Sequence, residues 1–302
     1  MHRDEENPQA EELPPLRIPN TLRGLLENKV GIVTGASHGI GAATAVAFVE
    51  AGARVVLAAR DGRGLEAVAK TINAGKKAAL VVPTDVTDPE SVQILVNSTM
   101  DEYGRLDLAF NNAGSGHMPA PLADVAVADY NRAISVNALG TFLCMKYEIP
   151  AMLKNGRGAI VNMSSTAGLQ GVKGIAGYVA GKHAVIGLTR AAAMDYARQN
   201  IRINAVAPGP ILTERLLGAS RDQAAFAVPL GRVGNREEVS TVVAWLCSEL
   251  ASFITGAVVP IDGGRMSGTW FSAPPVTSAV TARLSDSQSN RETGSANQTW
   301  RP

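Results

Sequence analysis

Residues 178 to 182 read YVAGK, which sets a phenol, Tyr178, one helical turn before an ammonium, Lys182. On a helix the i, i+4 spacing puts both side chains on one face, so backbone geometry alone holds them together. A free phenol, with a pKa of about 10, exchanges protons poorly near neutrality. A cation about 4 Å away, at an effective dielectric near 20, stabilises the phenolate by up to roughly 4 kcal/mol, which brings proton exchange with an alcohol oxygen within reach. Taken alone, the same five residues are equally two amphipathic side chains on a helix surface. The elements around them decide.

Those elements alternate. From Lys29 onward, short β-branched runs are separated by longer segments of helical period, the pattern of a parallel sheet covered by helices on both faces. The predicted strands are KVGIVT (29–34), ARVVLAA (53–59), AALVVP (78–83), LDLAFNN (106–112), GAIVNMS (158–164), IRINAVA (201–207) and GAVVPI (256–261). Helix signals lie between them. GIGAATAVAFVEAG ends in Gly52, where a left-handed cap is wanted, and REEVSTVVAWLCSE has Asn235 ahead of it and two glutamates in its first turn. Residues 29–265 therefore read as one α/β, doubly wound, Rossmann-type domain with a mainly seven-stranded parallel sheet. Residues 1–28 are acidic and proline-bearing, and 266–302 are polar; both are expected to lack a core of their own, the tail being largely disordered. Within that tail, TWFSAPPV (269–276) carries Trp270 and Phe271, which can dock on the domain or on a neighbouring subunit.

Composition narrows the class of partner. The chain of 302 residues is 46% hydrophobic and 18% charged, with a formal net charge of +1 and no dense Lys/Arg run, so nucleic acid is not an expected ligand. The first twelve residues hold five acids with no apolar stretch behind them, which argues against a signal peptide, and no segment has the length of a membrane span. The cytoplasm is the expected compartment. Cys144 and Cys247 lie far apart and read as buried reduced thiols, and the four histidines show no zinc-ligand spacing.

TGASHGIG (34–41) follows the first strand and opens the first helix. Glycines let that turn approach a ligand closely, and the helix N-terminus offers unpaired N–H groups to a pyrophosphate. Gly35, Gly39 and Gly41 are spaced GxxxGxG rather than GxGxxG. That loop resembles the TGxxxGIG loop of the short-chain dehydrogenases/reductases. Further motifs follow in the order and approximate spacing of that family: NNAG (111–114), SVNALG around Asn137, NMSS with Ser165, YVAGK, and APGPILT (207–213).

The resemblance implies a hydride-transferring oxidoreductase with a nicotinamide dinucleotide cofactor. Tyr178 would be the general acid/base, and Lys182 its electrostatic partner and a ligand of the nicotinamide ribose. Ser165 would hold the substrate oxygen, and Asn137 would order a water leading to Lys182. Ser165 is chosen over Ser164 because it precedes Tyr178 by thirteen residues, a usual separation in the family. The cofactor would meet the loop residues Gly35, Ser37, His38, Gly39, Ile40 and Gly41. Asp85 and Val86 would lie at the adenine, and Asn112, Ala113 and Gly114 beside the cofactor, with Asn111 supporting the sheet centre. Backbone groups of Ala207, Pro208, Gly209 and Ile211 would reach the nicotinamide, with Thr213 near its carboxamide or the pyrophosphate.

An acid at the end of the second strand would accept from the adenine ribose 2′-hydroxyl. Here that position is Ala59, followed by Arg60, which suits a 2′-phosphate and favours NADP(H), with His38 as a second contact. A register shift bringing Asp61 to the ribose would favour NAD(H).

Family specificity resides in the loops SGHMPAPLADV (115–125) and TERLLGASRDQAAFAVPLGRVG (213–234). The second, with Leu216, Leu217, Phe226 and Val228, reads as a lid with an apolar inner face suited to a medium-sized ketone or secondary alcohol. His117 and Met118 either line the pocket or face solvent. A 3-oxoacyl carrier-protein reductase shares every motif and would need a basic patch, for which Arg157, Arg215, Arg221 and Arg232 are candidates. A nucleotide-binding regulator or scaffold that had lost the chemistry would be expected to lack part of the Asn137, Ser165, Tyr178 and Lys182 set, which is complete here. Family members are dimers or tetramers, and the Ala/Gly-rich helix around YVAGK suits close packing against a second copy.

Overall fold

Seven short, largely apolar runs pair into one parallel sheet in the order β3-β2-β1-β4-β5-β6-β7, with the edge strand β7 only half-buried. The strands are β1 (Val30–Thr34), β2 (Arg54–Ala59), β3 (Ala79–Pro83), β4 (Leu108–Asn111), β5 (Gly158–Met163), β6 (Ile201–Pro208) and β7 (Val258–Ile261). The computed structural model describes residues 22–73, 78–214, 216–217 and 219–268, together with Leu13. The segment TWFSAPPV and most of the acidic arm lie outside the described residues. Strand order reverses between β1 and β4, so the loops leaving their carboxyl ends diverge and open a crevice there.

Because strand side chains alternate, the sheet builds two cores. Val33, Leu57, Phe110 and Val161 face one side with Phe48 of α1 (Gly39–Glu50), Leu65 of α2 (Gly62–Ile72) and Val243 of α8 (Arg236–Cys247). Ile32, Val56, Ala109 and Ile160 face the other with Leu95 of α3 (Pro89–Tyr103), Ile149 of α5 (Gly140–Lys154) and Ala193 of α6 (Ala176–Tyr196). Two further helices, α4 (Val127–Ile134) and α7 (Ala219–Phe226), lie in the excursions after β4 and β6. Among the described residues no helix is long and apolar enough to cross a membrane.

Local signals set the helix ends. Asp88 accepts from the Glu90 N–H at 3.0 Å with Pro89 in the first turn of α3, and Gly52, at φ +100°, follows the last turn of α1. The Glu238 carboxylate accepts from the Asn235 N–H at 2.7 Å ahead of α8. Both cysteines are buried free thiols, and burial pushes Cys247 up to about 12 and Cys144 well above its ordinary value.

The core begins before Lys29. Leu22 and Leu26 are buried against the first face, and the Leu26 N–H donates to the Ala51 carbonyl at 2.9 Å, so residues 22–28 pack with the domain rather than with the arm. Replacing Leu26 by Ala should cost about 2–5 kcal/mol in urea denaturation; a change near zero would remove this turn from the core.

Candidate active site

The loops after β1, β4, β5 and β6 enclose a cleft of about 280 Å³ at the carboxyl edge of the sheet. Its floor is the glycine turn. Gly35 and Gly39 have φ of +64° and +58°, a conformation a side chain would strain, and Gly41 lets α1 close against the Gly35 carbonyl. The N-terminus of α1 therefore opens into the cleft, with His38, Gly39 and Ile40 on its wall. The Ser37 hydroxyl is 2.9 Å from His38 Nδ1.

Asn112 ties this turn to the loop after β4. Its Nδ2 donates to the carbonyls of Thr34 and Gly35 at 3.0 and 3.2 Å, and the N–H groups of Asn112 and Ala113 both donate to Thr34 Oγ1. Asn112, Ala113 and Gly114 then line the cleft. From β6, Pro208, Gly209, Ile211 and Thr213 close the opposite wall.

Ser165, Tyr178 and Lys182 meet in the same cleft. Lys182 is 2% exposed, and its Nζ donates to the Met163 carbonyl at 2.8 Å and lies 5.5 Å from the centre of the Tyr178 ring. Met163, the second residue of NMSS, contributes through its carbonyl oxygen and so leaves no side-chain signal in the sequence. The two serines separate cleanly. Buried Ser164 donates its hydroxyl to the Lys182 carbonyl at 3.0 Å, whereas Ser165 Oγ accepts from the Ala167 N–H at 3.1 Å and keeps its own hydrogen for the cleft.

Asn137 sits in a π-helical turn, Ser135–Leu139, that interrupts the passage from α4 to α5. Its Nδ2 donates to the carbonyls of Ser115 and Ala133 at 2.6 and 2.8 Å, leaving Oδ1 buried with no hydrogen-bond partner. A Cβ placed on Gly114 would lie 3.0 Å from that Oδ1 and 3.1 Å from Lys182 Nζ, so the missing side chain leaves a small polar gap between them.

Ser37, Gly41, Arg60, Asp85, Val86, Asn137 and Ala207 do not line this cleft, Asn137 lying behind Gly114. β2 ends at Ala59 opposite Pro83, and the next residue, Arg60, is exposed. Asp61 caps α2, accepting from the Gly64 N–H at 3.1 Å. Asp85 is held below the ordinary carboxylate range by the Thr87 N–H, helped by the Thr87 hydroxyl and the charge of Arg60. The Val86 side chain is buried where the absent Cβ of Gly140 makes room.

The excursion after β6 leaves and returns at one point. Leu212 N–H donates to the Gly234 carbonyl at 2.8 Å and Gly234 N–H to that of Pro210 at 2.9 Å. The expected apolar inner face needs correction: Val228 is buried, packed where Gly263 lacks a side chain, and Phe226 is 70% exposed.

Comparison with known proteins agrees with this geometry. The family model described as enoyl-(acyl carrier protein) reductase matches residues 35–266. The chain is 42% identical over 246 residues to 2,5-dichloro-2,5-cyclohexadiene-1,4-diol dehydrogenase of Sphingobium indicum, covering 79% of this chain and 97% of that one. It is also 42% identical over 245 residues to cyclohexanol dehydrogenase of Acinetobacter sp. strain SE19, covering 80% and 96%. The crystal structure of levodione reductase superposes with a TM-score of 0.76 at 34% identity, covering 81% of this chain and all of that one.

His117 was expected either to line the pocket or to face solvent; it lies outside the cleft lining and is half-buried, with both ring nitrogens on backbone groups. Its Nε2 accepts from the Gly177 N–H at 3.2 Å while Nδ1 lies 2.9 Å from the Met118 carbonyl, an arrangement one neutral tautomer satisfies. Gly177 is in the first turn of α6, where N–H groups have no intrahelical partner, and Tyr178 is its neighbour. Replacing His117 by Ala should weaken that turn by about 1 kcal/mol and speed amide exchange at Gly177 about fivefold. Unchanged exchange would show that the bond does not anchor the helix.

Proposed function

Because the chain belongs to the short-chain dehydrogenase/reductase family, we propose that it transfers a hydride between NADP(H) and an alicyclic secondary alcohol or its ketone. The observation that carries this reading is the buried Lys182 ammonium, fastened to the Met163 carbonyl with Nζ 5.5 Å from the Tyr178 ring. When bound, the nicotinamide supplies or accepts the hydride.

The cleft fits such a cofactor because the glycine turn and α1 N-terminus form a cradle that side chains would fill. Tyr178 gives a proton to the carbonyl oxygen in reduction and takes one from the hydroxyl in oxidation. Lys182 stabilises the phenolate form and holds the nicotinamide ribose. Ser165, oriented by the Ala167 N–H, donates to the substrate oxygen as charge develops there. Asn137 Oδ1 holds a water in the gap beside Gly114, and through it Lys182 recovers protons.

Arg60 supports NADP(H), since it follows the last residue of β2 and its charge is felt at Asp85, while Asp61 is engaged at α2. The names of the two dehydrogenase relatives support a six-membered carbocycle as substrate. A carrier-protein substrate is less favoured. Arg157 pairs with Glu249 beside a separate cavity at the amino edge of the sheet, Arg221 and Arg232 pair with Asp222 and Glu238, and Arg215 is outside the described residues. Leu139 and Phe142, exposed around the start of α5, support assembly with a second copy as a dimer or tetramer.

Purified protein should oxidise NADPH with cyclohexanone-type ketones and saturate with NADPH at lower concentration than with NADH; equal or tighter saturation by NADH would refute the Arg60 assignment. Tyr178→Phe should retain NADPH binding in a fluorescence titration and lose about 10²–10⁴-fold in kcat. Near-normal turnover by that variant would refute the proton-transfer role.

A further inference from the structure

Among the described residues, three buried side-chain atoms lack a hydrogen-bond partner: Asn111 Oδ1, Asn137 Oδ1 and Glu148 Oε1. The first and the last belong to groups already joined, because Asn111 Nδ2 donates to Glu148 Oε2 at 3.0 Å. Both residues are nearly sealed from water, Asn111 at 2% and Glu148 at 1% exposure. A carboxylate there would be a buried charge with one hydrogen bond and no counter-ion.

The packed elements offer no such ion. β4 contributes Asn111 and β5, one bond further on, Asn162. α5 itself contributes Cys144, whose thiol burial keeps protonated. α3 turns Val92, Leu95, Val96 and Thr99 inward, and α6 turns Val185, Ile186 and Thr189, none of them ionisable. The buried ammonium of α6, Lys182, is committed to the Met163 carbonyl. Burial accordingly pushes the Glu148 carboxyl up to about 7, the Asn111 bond offsetting only part of the effect.

A single proton shared between the two orphaned oxygens would satisfy both. We propose that Glu148 is kept as a neutral carboxylic acid that donates from Oε1 to Asn111 Oδ1 while accepting at Oε2, and that this acid–amide pair positions the catalytic face. The remaining bonds carry the constraint there. Asn111 Nδ2 also donates to Asn162 Oδ1 at 3.0 Å, Asn162 Nδ2 to Thr189 Oγ1 at 3.0 Å, and the Thr189 hydroxyl to the Val185 carbonyl at 2.7 Å.

Each amide of this chain adjoins a residue of the cleft. Asn111 precedes Asn112, which clamps the glycine turn; Asn162 precedes Met163, whose carbonyl holds Lys182; Thr189 lies on the helix that carries Tyr178 and Lys182. The acid–amide pair thus fixes β4, β5 and α6 relative to one another. Loss of the proton sets a carboxylate oxygen against Asn111 Oδ1 and loosens that relation.

Glutamine at this position does not titrate and supplies an acceptor and a donor in place of the two acid oxygens, with one further N–H, whereas leucine fills the space and supplies neither. The test compares wild type, Glu148→Gln and Glu148→Leu for kcat, KM and thermal unfolding across the pH range, with infrared difference spectra of wild type against Glu148→Gln. The folded state holds the proton up to about 7 and the unfolded chain releases it near the ordinary value of 4.5, so stability is greatest below 4.5 and is lost as pH rises through about 7.

Glu148→Gln should abolish that step while keeping wild-type kcat, and the spectrum should contain a protonated carboxyl band that this variant lacks. Glu148→Leu should lower kcat by about 10- to 100-fold with KM little changed. A kcat for Glu148→Gln as low as that of Glu148→Leu, an unchanged pH–stability curve, or no carboxyl band would overturn the proposal. The link to catalysis rests on the hydride-transfer reading, but the stability and infrared measurements need no turnover, so the two can fail separately.

Discussion

A buried ammonium is an expensive thing to fold around, and the cleft is organised by how this one is held. Lys182 sits at 2% exposure with its Nζ on the Met163 carbonyl, the last residue of β5, and its own carbonyl accepts from Ser164. Taking such a charge out of water costs several kcal/mol unless hydrogen bonds and opposite charge compensate. The Lys182 side chain is hydrogen-bonded to the last residue of β5 and its carbonyl to the residue after it, so α6 is held against the sheet at the ammonium itself. Everything else in the cleft is arranged about that point: Gly114 leaves a gap next to Nζ, Asn137 presents an acceptor to the gap, and Tyr178 lies one turn away.

The same economy appears in the NNAG stretch, whose neighbouring asparagines serve opposite directions. Asn112 reaches up to the glycine turn and joins the loops of β1 and β4 at the switch point of the sheet. Asn111 reaches inward to Glu148 and Asn162. The division falls at the end of β4: Asn111 is its last residue, and the Asn112 N–H turns back onto the Phe110 carbonyl at 3.0 Å, which sends the next side chain toward the glycine turn. The glycine turn and the interior network therefore meet at one strand end.

The strand and helix pattern was legible because period-2 and period-3.6 signals were uninterrupted, and the glycine turn because its residue types are dictated by the local backbone. YVAGK was legible for a similar reason, the pair being preorganised within one helix. Features that depend on partners far along the chain were not. His117 anchors Gly177, sixty residues away, and nothing near either residue announces the bond. The π turn at Asn137 follows from packing rather than composition, and Glu148 reads as one more polar residue of α5 until Asn111 is found against it. Leu22 and Leu26 were hidden by the acidic arm before them, although the Leu26 N–H reaches the end of α1. Asp61 was legible only as a candidate ribose ligand, because its capping of α2 depends on where that helix begins.

The proposed chemistry depends on Lys182 lowering the pKa of the Tyr178 phenol, and the most direct measurement is the ultraviolet absorbance of tyrosinate as a function of pH. One ionisation well below the ordinary value of about 10 should be present in wild type, absent in Tyr178→Phe, and shifted back toward 10 in Lys182→Met. A wild-type titration identical to that of Lys182→Met, with every tyrosine ionising near 10, would contradict it.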